Sequence, residues 1–273
     1  MKLETVEVRG AGSLDSALFE AFLLEDSAEY AVRRRPMVIV CPGGAYASLS
    51  DREADRAAMQ FCAMGYHAGV LRYSVAPSRY PAALLELGRA VLAVRNHAEA
   101  WSVDPDRIAV LGFSAGGHLA GSFCTQWDMP WVAQALGCAS GQLRPNAMIL
   151  CYPVITAGRW CHEGSFMNLL GADWRERKDA LSLETLVRPS APPTFLWHTA
   201  EDPAVPAQNS IAMAAALAEQ SVPVELHLFE RGGHGLAFAD EMGKTASGGG
   251  VEKSCQCWVD LLHAWLERWR TSG

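Results

Sequence analysis

The sequence carries little charge, and acids outnumber bases in it. Only 19% of the 273 residues are Asp, Glu, Lys or Arg, half are hydrophobic, and the formal net charge is −7. The low charge and the high apolar content exclude an intrinsically disordered chain. The negative balance argues against nucleic acid or an anionic membrane surface as a partner.

Long hydrophobic runs and biased tracts are also missing. No stretch of about 18 consecutive apolar residues occurs, so we expect no membrane-spanning helix. The opening MKLETVEV carries acids where a signal peptide needs an apolar run. No internal repeat and no collagen-type period is present. Together these absences predict a cytoplasmic protein.

Cysteine is plentiful, with eight copies, but no metal or cofactor signature accompanies it. A chain of this length needs no disulfide staples, so free thiols are expected. A P-loop, a dinucleotide fingerprint and a zinc signature are absent. Cys255 and Cys257 fall within a predicted final helix, 252–270, and lack a second pair. We therefore expect neither a metal nor a cofactor.

Short β-rich runs alternate with helical patterns, which predicts a parallel sheet with crossover helices. We expect one α/β domain, residues 1–273, with a mostly parallel central sheet of about eight strands and helices on both faces. Residues 156–192 are irregular and long enough only for a small cap segment, not for a large lid domain. Strands are predicted near residues 3–8, 17–24, 37–41, 67–73, 107–111, 147–152, 194–198 and 224–229, the first two as an antiparallel hairpin.

The most specific motif is the pentapeptide GFSAG at 112–116. It follows a predicted strand and opens a predicted helix, the setting in which a serine is exposed on a sharp turn. Small neighbours leave room for the strained backbone, and the helix N-terminus favours a developing anion. An ordinary glycine-rich turn is the alternative interpretation. We predict that Ser114 is a nucleophile, which requires a neighbouring base.

A base and an acid are expected in loops at the carboxyl ends of later strands, where open α/β sheets place their sites. His234 lies in such a loop, RGGHG, directly after the last predicted strand, and His198 is its rival. Asp202 follows the preceding strand and is predicted to hold the histidine tautomer. Glu201 is the alternative acid, although the prolines that follow Asp202 favour Asp202.

Backbone donors for an anionic intermediate are expected in CPGGAY, residues 41–46, after the first predicted parallel strand. Glycines let N–H groups approach a substrate oxygen, and one such donor is worth about 3–4 kcal/mol. We predict an oxyanion hole formed by the N–H groups of Gly44, Ala45 and Ala115. Gly43 is the fallback donor.

Taken together, these motifs resemble those of α/β-hydrolase carboxylesterases of the acetyl-xylan and feruloyl esterase type. The resemblance implies the α/β-hydrolase fold and the triad Ser114, Asp202 and His234, in agreement with the assignment from the residues. Pro42 and Ala45 depart from the usual HGGG pattern and leave the oxyanion donor open. The matching segments are VCPGGAY (40–46), GFSAGGHLA (112–120), LCYPV (150–154), PPTFLWHT (192–199) and GGHG (232–235).

The function implied is a serine esterase for short acyl esters, since the cap segment is too short for a lipid-binding lid. Acetylated xylo-oligosaccharides are the expected substrates, and a small-molecule or oligosaccharide ester is the expected partner. An amidase, such as an arylformamidase or a small peptidase, is the alternative, and a non-catalytic binding protein is a third. The oligomeric state, a homo-oligomer included, stays open. Four aromatic residues are candidate sugar platforms or core residues, namely Tyr46, Tyr73, Trp160 and Trp197.

Overall fold

The computed structural model describes residues 1–271, which contain an eight-stranded sheet. The strands are β1 (Lys2–Glu7), β2 (Leu18–Leu23), β3 (Arg35–Cys41), β4 (His67–Arg72), β5 (Val103–Phe113), β6 (Ala147–Cys151), β7 (Thr194–Thr199) and β8 (Val224–Phe229). Their spatial order is β1-β2-β4-β3-β5-β6-β7-β8, antiparallel among β1, β2 and β4 and parallel from β4 to β8. The predicted mostly parallel sheet is confirmed, and its edges do not close into a barrel.

Helices cover both faces of the sheet and enclose two hydrophobic clusters. The helices are α1 (Asp55–Ala63), α2 (Ala82–Asn96), α3 (Ala115–Gln126), α4 (Pro130–Leu136), α5 (Glu163–Leu170), α6 (Trp174–Arg177), α7 (Gln208–Glu219) and α8 (Trp258–Thr271). The face with α2, α3 and α7 holds the larger cluster, and the face with α1 and α8 holds the other.

The central strand β3 shows why both faces must be covered. Met37, Ile39 and Cys41 belong to the larger cluster, whereas Val38 and Val40 belong to the other. Successive side chains of a strand point to opposite faces, so a continuous apolar run buries one set on each side. This alternation explains the high hydrophobic content and low charge of the sequence.

Two elements differ from the sequence predictions. Helix α4 was not predicted; it is short, starts with Pro130 in the first turn and ends at Gly137 in a left-handed conformation. Helix α8 begins at Trp258 rather than at residue 252, because Lys253–Cys255 forms a 3-10 turn in which the Glu252 side chain accepts a hydrogen bond from the N–H of Ser254. Cys255 and Cys257 therefore precede α8 instead of lying within it.

The segment 156–192 contains only short helices: α5, α6 and two 3-10 turns, Lys178–Leu181 and Leu183–Thr185. Asn209 of α7 holds the start of this segment, because its side chain accepts hydrogen bonds from the N–H groups of Ile155 and Thr156 and donates to the carbonyl of Trp160. Across residues 1–271, no helix combines the length and the apolar character needed to cross a membrane.

The carboxyl ends of four parallel strands carry the residues singled out by the sequence. The 41–46 loop follows β3, Ser114 follows β5, Asp202 follows β7 and His234 follows β8. Because parallel strands end at the same edge of the sheet, the four segments lie at one edge.

Candidate active site

Ser114 occupies a strained turn between β5 and α3. Its φ and ψ are 52° and −118°, in a region that side chains other than glycine rarely adopt. Glycines on either side make the turn possible: a methyl group on Gly112 would lie 2.1 Å from the carbonyl oxygen of Gly116, and one on Gly116 would lie 2.1 Å from that of Cys41. The turn leaves Ser114 at the N-terminus of α3, as predicted.

Ser114, His234 and Asp202 form a continuous hydrogen-bonded chain. Ser114 Oγ lies 2.7 Å from His234 Nε2, and His234 Nδ1 lies 2.6 Å from Asp202 Oδ2. A carboxylate on Nδ1 fixes that proton there, which leaves Nε2 free to accept the serine proton. The structure thus brings together all three residues that the sequence singled out.

Asp202 is held by more than His234. Its Oδ1 accepts hydrogen bonds of 2.9 Å from the N–H groups of Ala204 and Val205, and its Oδ2 lies 3.3 Å from Nε2 of the buried His198. Burial alone would raise the pKa of Asp202, but the hydrogen bonds from His198 and His234 outweigh burial and hold that pKa below its ordinary value. The carboxylate therefore stays ionised.

The alternatives to these residues lie elsewhere. Glu201 is exposed, and its carboxylate accepts a long hydrogen bond of 3.4 Å from the N–H of Gly232 instead of contacting His234. His198, the rival base, contacts Asp202 from the protein interior. It acts on the acid rather than on Ser114.

The loop after β3 presents backbone donors beside Ser114. The N–H of Gly43, the fallback donor, is already bound to Glu53 Oε2 at 2.9 Å. Within residues 1–271, the N–H groups of Gly44, Ala45 and Ala115 have no hydrogen-bond acceptor. These are the three predicted donors, and they are free for a substrate oxygen.

The same loop adopts an unusual backbone that neighbouring elements hold in place. Ala45 and Tyr46 have φ values of 55° and 56°, in the left-handed region. Asn168 of α5 donates to the carbonyl of Ala45 at 2.9 Å, and the Tyr46 hydroxyl lies 3.0 Å from His118 Nδ1. Since His118 Nε2 faces the carbonyl of Leu181 at 3.0 Å, Nε2 carries the proton and Tyr46 donates to Nδ1.

His162 is a neighbour of the site that the sequence did not indicate. It precedes α5, and its Nδ1 accepts from the N–H of Ser165 at 3.3 Å. Burial lowers the pKa of His162, the charge of His234 lowers it further, and Asp202 acts in the opposite direction. Since the effect of a charge weakens with distance, these influences indicate that His162 lies near the acid and the base.

The candidate sugar platforms are mostly core residues. Tyr46, Tyr73 and Trp197 are at most 2% exposed, so they offer no open face to a sugar. Trp160 is half-buried, with the guanidinium of Arg159 stacked 4.5 Å from its ring centroid. The described part of the chain contains no group of three or more His, Cys, Asp or Glu residues able to hold a metal ion.

The geometry suits nucleophilic acyl transfer. Ser114 can attack a carbonyl carbon while His234 takes the hydroxyl proton, and free N–H groups lie beside the serine for the oxygen that becomes negative.

Comparison with known proteins assigns this chain to a family. The sequence profile of the BD-FAE family matches residues 27–217, most of the chain. The chain belongs to the BD-FAE family. The resemblance to α/β-hydrolase esterases drawn from the motifs is thereby confirmed, and the segment matched contains Ser114 and Asp202 but ends before His234.

Solved structures resemble this chain over nearly its whole length. An acetyl ester-xyloside bifunctional hydrolase from Caldicellulosiruptor lactoaceticus is 35% identical, with a TM-score of 0.80 over 94% of this chain and 89% of its own. The carboxylesterase Cest-2923 from Lactobacillus plantarum is 29% identical, with a TM-score of 0.84 over 98% of both chains. These neighbours confirm the α/β-hydrolase fold, and both of them are ester hydrolases.

The curated relatives of the chain are longer proteins. Endo-1,4-beta-xylanase B from Butyrivibrio fibrisolvens is 38% identical over 229 residues, which cover 79% of this chain and 35% of that protein. The chain spans between 20% and 46% of the length of the curated relatives it matches.

Proposed function

We propose that the chain is a serine carboxylesterase that removes short acyl groups, acetyl above all, from esters of xylo-oligosaccharides. The observation that carries this proposal is the chain of hydrogen bonds from Ser114 Oγ through His234 to Asp202, at 2.7 and 2.6 Å. The position of Ser114 on the strained turn after β5 matches the requirement for an exposed serine nucleophile.

The mechanism follows from the positions of these groups. Ser114 attacks the ester carbonyl while His234 Nε2 takes its proton, and the tetrahedral oxyanion accepts hydrogen bonds from Gly44, Ala45 and Ala115. His234 then returns the proton to the leaving alcohol, and an acyl-enzyme remains on Ser114. Water, deprotonated by the same histidine, hydrolyses that intermediate.

Short acyl groups are favoured because side chains fill the space beside the oxyanion loop. Val154, Phe166 and Leu169 form a packed wall there with Tyr46 and His118, and the gaps between these side chains would not hold even a water molecule. The backbone N–H of Val154 donates to the carbonyl of Ser114 at 3.0 Å, which places this wall next to the nucleophile. The small helices of residues 156–192 offer no extended groove for a long acyl chain.

The sugar part of the proposal rests on the relatives. An acetyl ester-xyloside hydrolase shares 35% of its sequence with this chain over nearly its full length. Neutral sugar hydroxyls require hydrogen-bonding partners at the rim of the site, and the half-buried His162, whose pKa responds to the charges of His234 and Asp202, is a candidate for this role.

The test is mass spectrometry of an acetylated xylo-oligosaccharide pool before and after incubation with the enzyme. The proposal predicts loss of acetyl groups with the sugar backbone intact. Ser114→Ala should abolish this loss, whereas Ser122→Ala, a buried serine two turns further along α3, should retain it. An unchanged acetylation pattern with the wild-type protein would contradict the sugar substrate, and hydrolysis of nitrophenyl acetate in the same sample would show whether the esterase activity itself survives.

A further inference from the structure

A short 3-10 turn, Asp51–Glu53, lies between the oxyanion loop and α1 and holds a buried carboxylate. Glu53 is 3% exposed, and among the described residues its carboxylate contacts neutral hydrogen-bond donors rather than a cation. A buried carboxylate without a cation is costly and has to be stabilised by hydrogen bonds. Glu53 therefore stands out as a group whose presence requires an explanation.

The hydrogen bonds of Glu53 link two parts of the active site. Its Oε2 accepts from the N–H of Gly43 at 2.9 Å, and its Oε1 accepts from the Tyr152 hydroxyl at 2.6 Å. The Tyr152 oxygen in turn accepts from the N–H of Ala237 at 2.8 Å. Ala237 lies three residues after His234, so three consecutive hydrogen bonds connect the oxyanion loop to the loop of the base.

Tyr152 also touches the base directly. Its ring meets the imidazole of His234 edge to face, with 5.3 Å between the centroids and 74° between the planes. Burial and the neighbouring charge of Glu53 raise the pKa of the Tyr152 phenol well above its usual value, so the phenol stays protonated and keeps donating. One side chain thus contacts His234 through its ring and Glu53 through its hydroxyl.

Glu53 also determines which oxyanion-loop donors are free. A methyl group on Gly43 would lie 2.7 Å from Glu53 Oε2 and 2.9 Å from Ser114 Cβ, so the carboxylate is adjacent to the nucleophile. By accepting the Gly43 N–H, Glu53 orients the peptide that precedes Gly44 and Ala45. The neighbouring Arg52 forms a second link to the loop that carries His234, because its guanidinium donates a hydrogen bond of 2.8 Å to the carbonyl of Gly235.

We propose that Glu53 and Tyr152 are positioning residues. They fix the position of the oxyanion loop relative to the loop that carries His234, through the hydrogen-bond chain Gly43–Glu53–Tyr152–Ala237. Among the described residues, neither side chain forms a hydrogen bond with Ser114 or with the His234 imidazole: both act through the N–H groups after Gly43 and through the orientation of the His234 ring. The inference rests on the proposed esterase function, because it concerns the geometry of that reaction.

The experiment compares Tyr152→Phe and Glu53→Gln with the wild type on nitrophenyl acetate. Phenylalanine keeps the ring and removes the hydroxyl; glutamine keeps the shape but offers one acceptor oxygen in place of two. Active sites are titrated with a nitrophenyl phosphonate, so that kcat is expressed per reactive serine. We expect kcat to fall by about tenfold to a hundredfold for each variant, with KM within about twofold, because small displacements of reacting groups are costly.

The matched control is Tyr66→Phe, which removes another buried phenol hydroxyl, one that bonds to Glu267 of α8 rather than to the site. Its kcat should equal that of the wild type. The double variant should be about as slow as the slower single variant, since both changes break the same chain. A purely structural role would instead lower the fraction of titratable sites and the melting temperature while leaving kcat per site unchanged.

Fewer titratable sites with an unchanged kcat per site, or wild-type kcat in Tyr152→Phe, would overturn the positioning role. If Glu53→Gln does not fold, Tyr152→Phe, which keeps the packed ring, decides the question. Failure of the esterase proposal looks different: the wild type and Ser114→Ala would then be equally inactive, or equally active, on nitrophenyl acetate.

Discussion

His198 Nε2 lies 3.3 Å from Asp202 Oδ2, the same carboxylate oxygen that His234 Nδ1 contacts at 2.6 Å. His198 Nε2 also faces the carbonyl of Val205 at 2.9 Å, while Nδ1 lies 2.8 Å from Ser210 Oγ. Because both neighbours of Nε2 are acceptors, that nitrogen carries the proton. The acid of the site is therefore held between two histidines, of which one is buried and one faces Ser114.

Removal of the His198 donor should weaken the acid. In His198→Leu, Asp202 loses one of the hydrogen bonds that lower its pKa, so the pKa of Asp202 should rise. The fall of kcat on the acidic side should therefore begin at a higher pH in this variant than in the wild type. His198→Gln retains an amide donor and should lie closer to the wild type. The measurement is kcat between pH 4.5 and 8; superimposable profiles for the leucine variant and the wild type would exclude this role for His198.

The choice between neighbouring acids has a sharp test. Asp202→Asn should lower kcat by about ten thousandfold, because an amide favours the wrong histidine tautomer. Glu201→Gln removes a charge one residue away, from a side chain that does not contact His234, and should leave kcat within about twofold. Steady-state kinetics on nitrophenyl acetate distinguish the two, and a greater loss in Glu201→Gln would reverse the assignment.

Stability should depend on His118 in acid. Burial lowers the pKa of this histidine from 6.5 to about 4. The unfolded chain then takes up a proton as the pH falls below about 6.5, while the folded chain resists protonation until about pH 4, so the folded state loses stability across that window. The loss attributable to His118 is about 3 kcal/mol between pH 7 and pH 4.

His118→Gln should remove that part of the pH dependence, because glutamine offers a donor and an acceptor but does not titrate. Urea unfolding at pH 7 and at pH 4 measures the difference for each protein. The variant should be less stable than the wild type at pH 7, where it loses a fitted side chain, and should lose less stability on acidification. An identical loss in both proteins would show that His118 is protonated in the folded state or contributes nothing.

Acyl length provides a further test of the site. If the wall of Val154, Phe166 and Leu169 bounds the acyl group, kcat/KM for nitrophenyl acetate should exceed that for the octanoate by about tenfold or more. Phe166→Ala opens space in this wall, so it should reduce the ratio of kcat/KM for the acetate to kcat/KM for the octanoate. An octanoate preference in the wild type would contradict the short-acyl proposal.

Local patterns were enough to predict the sheet, most of its helices and the three residues at its carboxyl edge. Ser114 was found because a strained turn demands small neighbours in a fixed order, and that order is visible in GFSAG. His234 and Asp202 were found because each follows a strand. The start of α8 was not predicted correctly, since the 3-10 turn before it depends on the capping side chain of Glu252.

The residues that support the site were not predicted, because their partners are distant in sequence. Glu53 and Tyr152 are 99 residues apart, and Tyr152 and Ala237 are 85 apart. No spacing rule connects such positions; only the folded sheet brings the ends of β3, β6 and β8 together. His198 was considered as a base, and its burial behind Asp202 became visible only in three dimensions.

The most direct test of the central claim is to trap the acyl-enzyme. The wild type is mixed with nitrophenyl acetate, quenched in acid during turnover, and digested for peptide mass spectrometry. We predict an acetyl group on the peptide that contains Ser114, localised to that serine by fragmentation, and no acetylated peptide in Ser114→Ala. Turnover with Ser114 unmodified, or turnover that persists in Ser114→Ala, would contradict the assignment of Ser114 as the nucleophile.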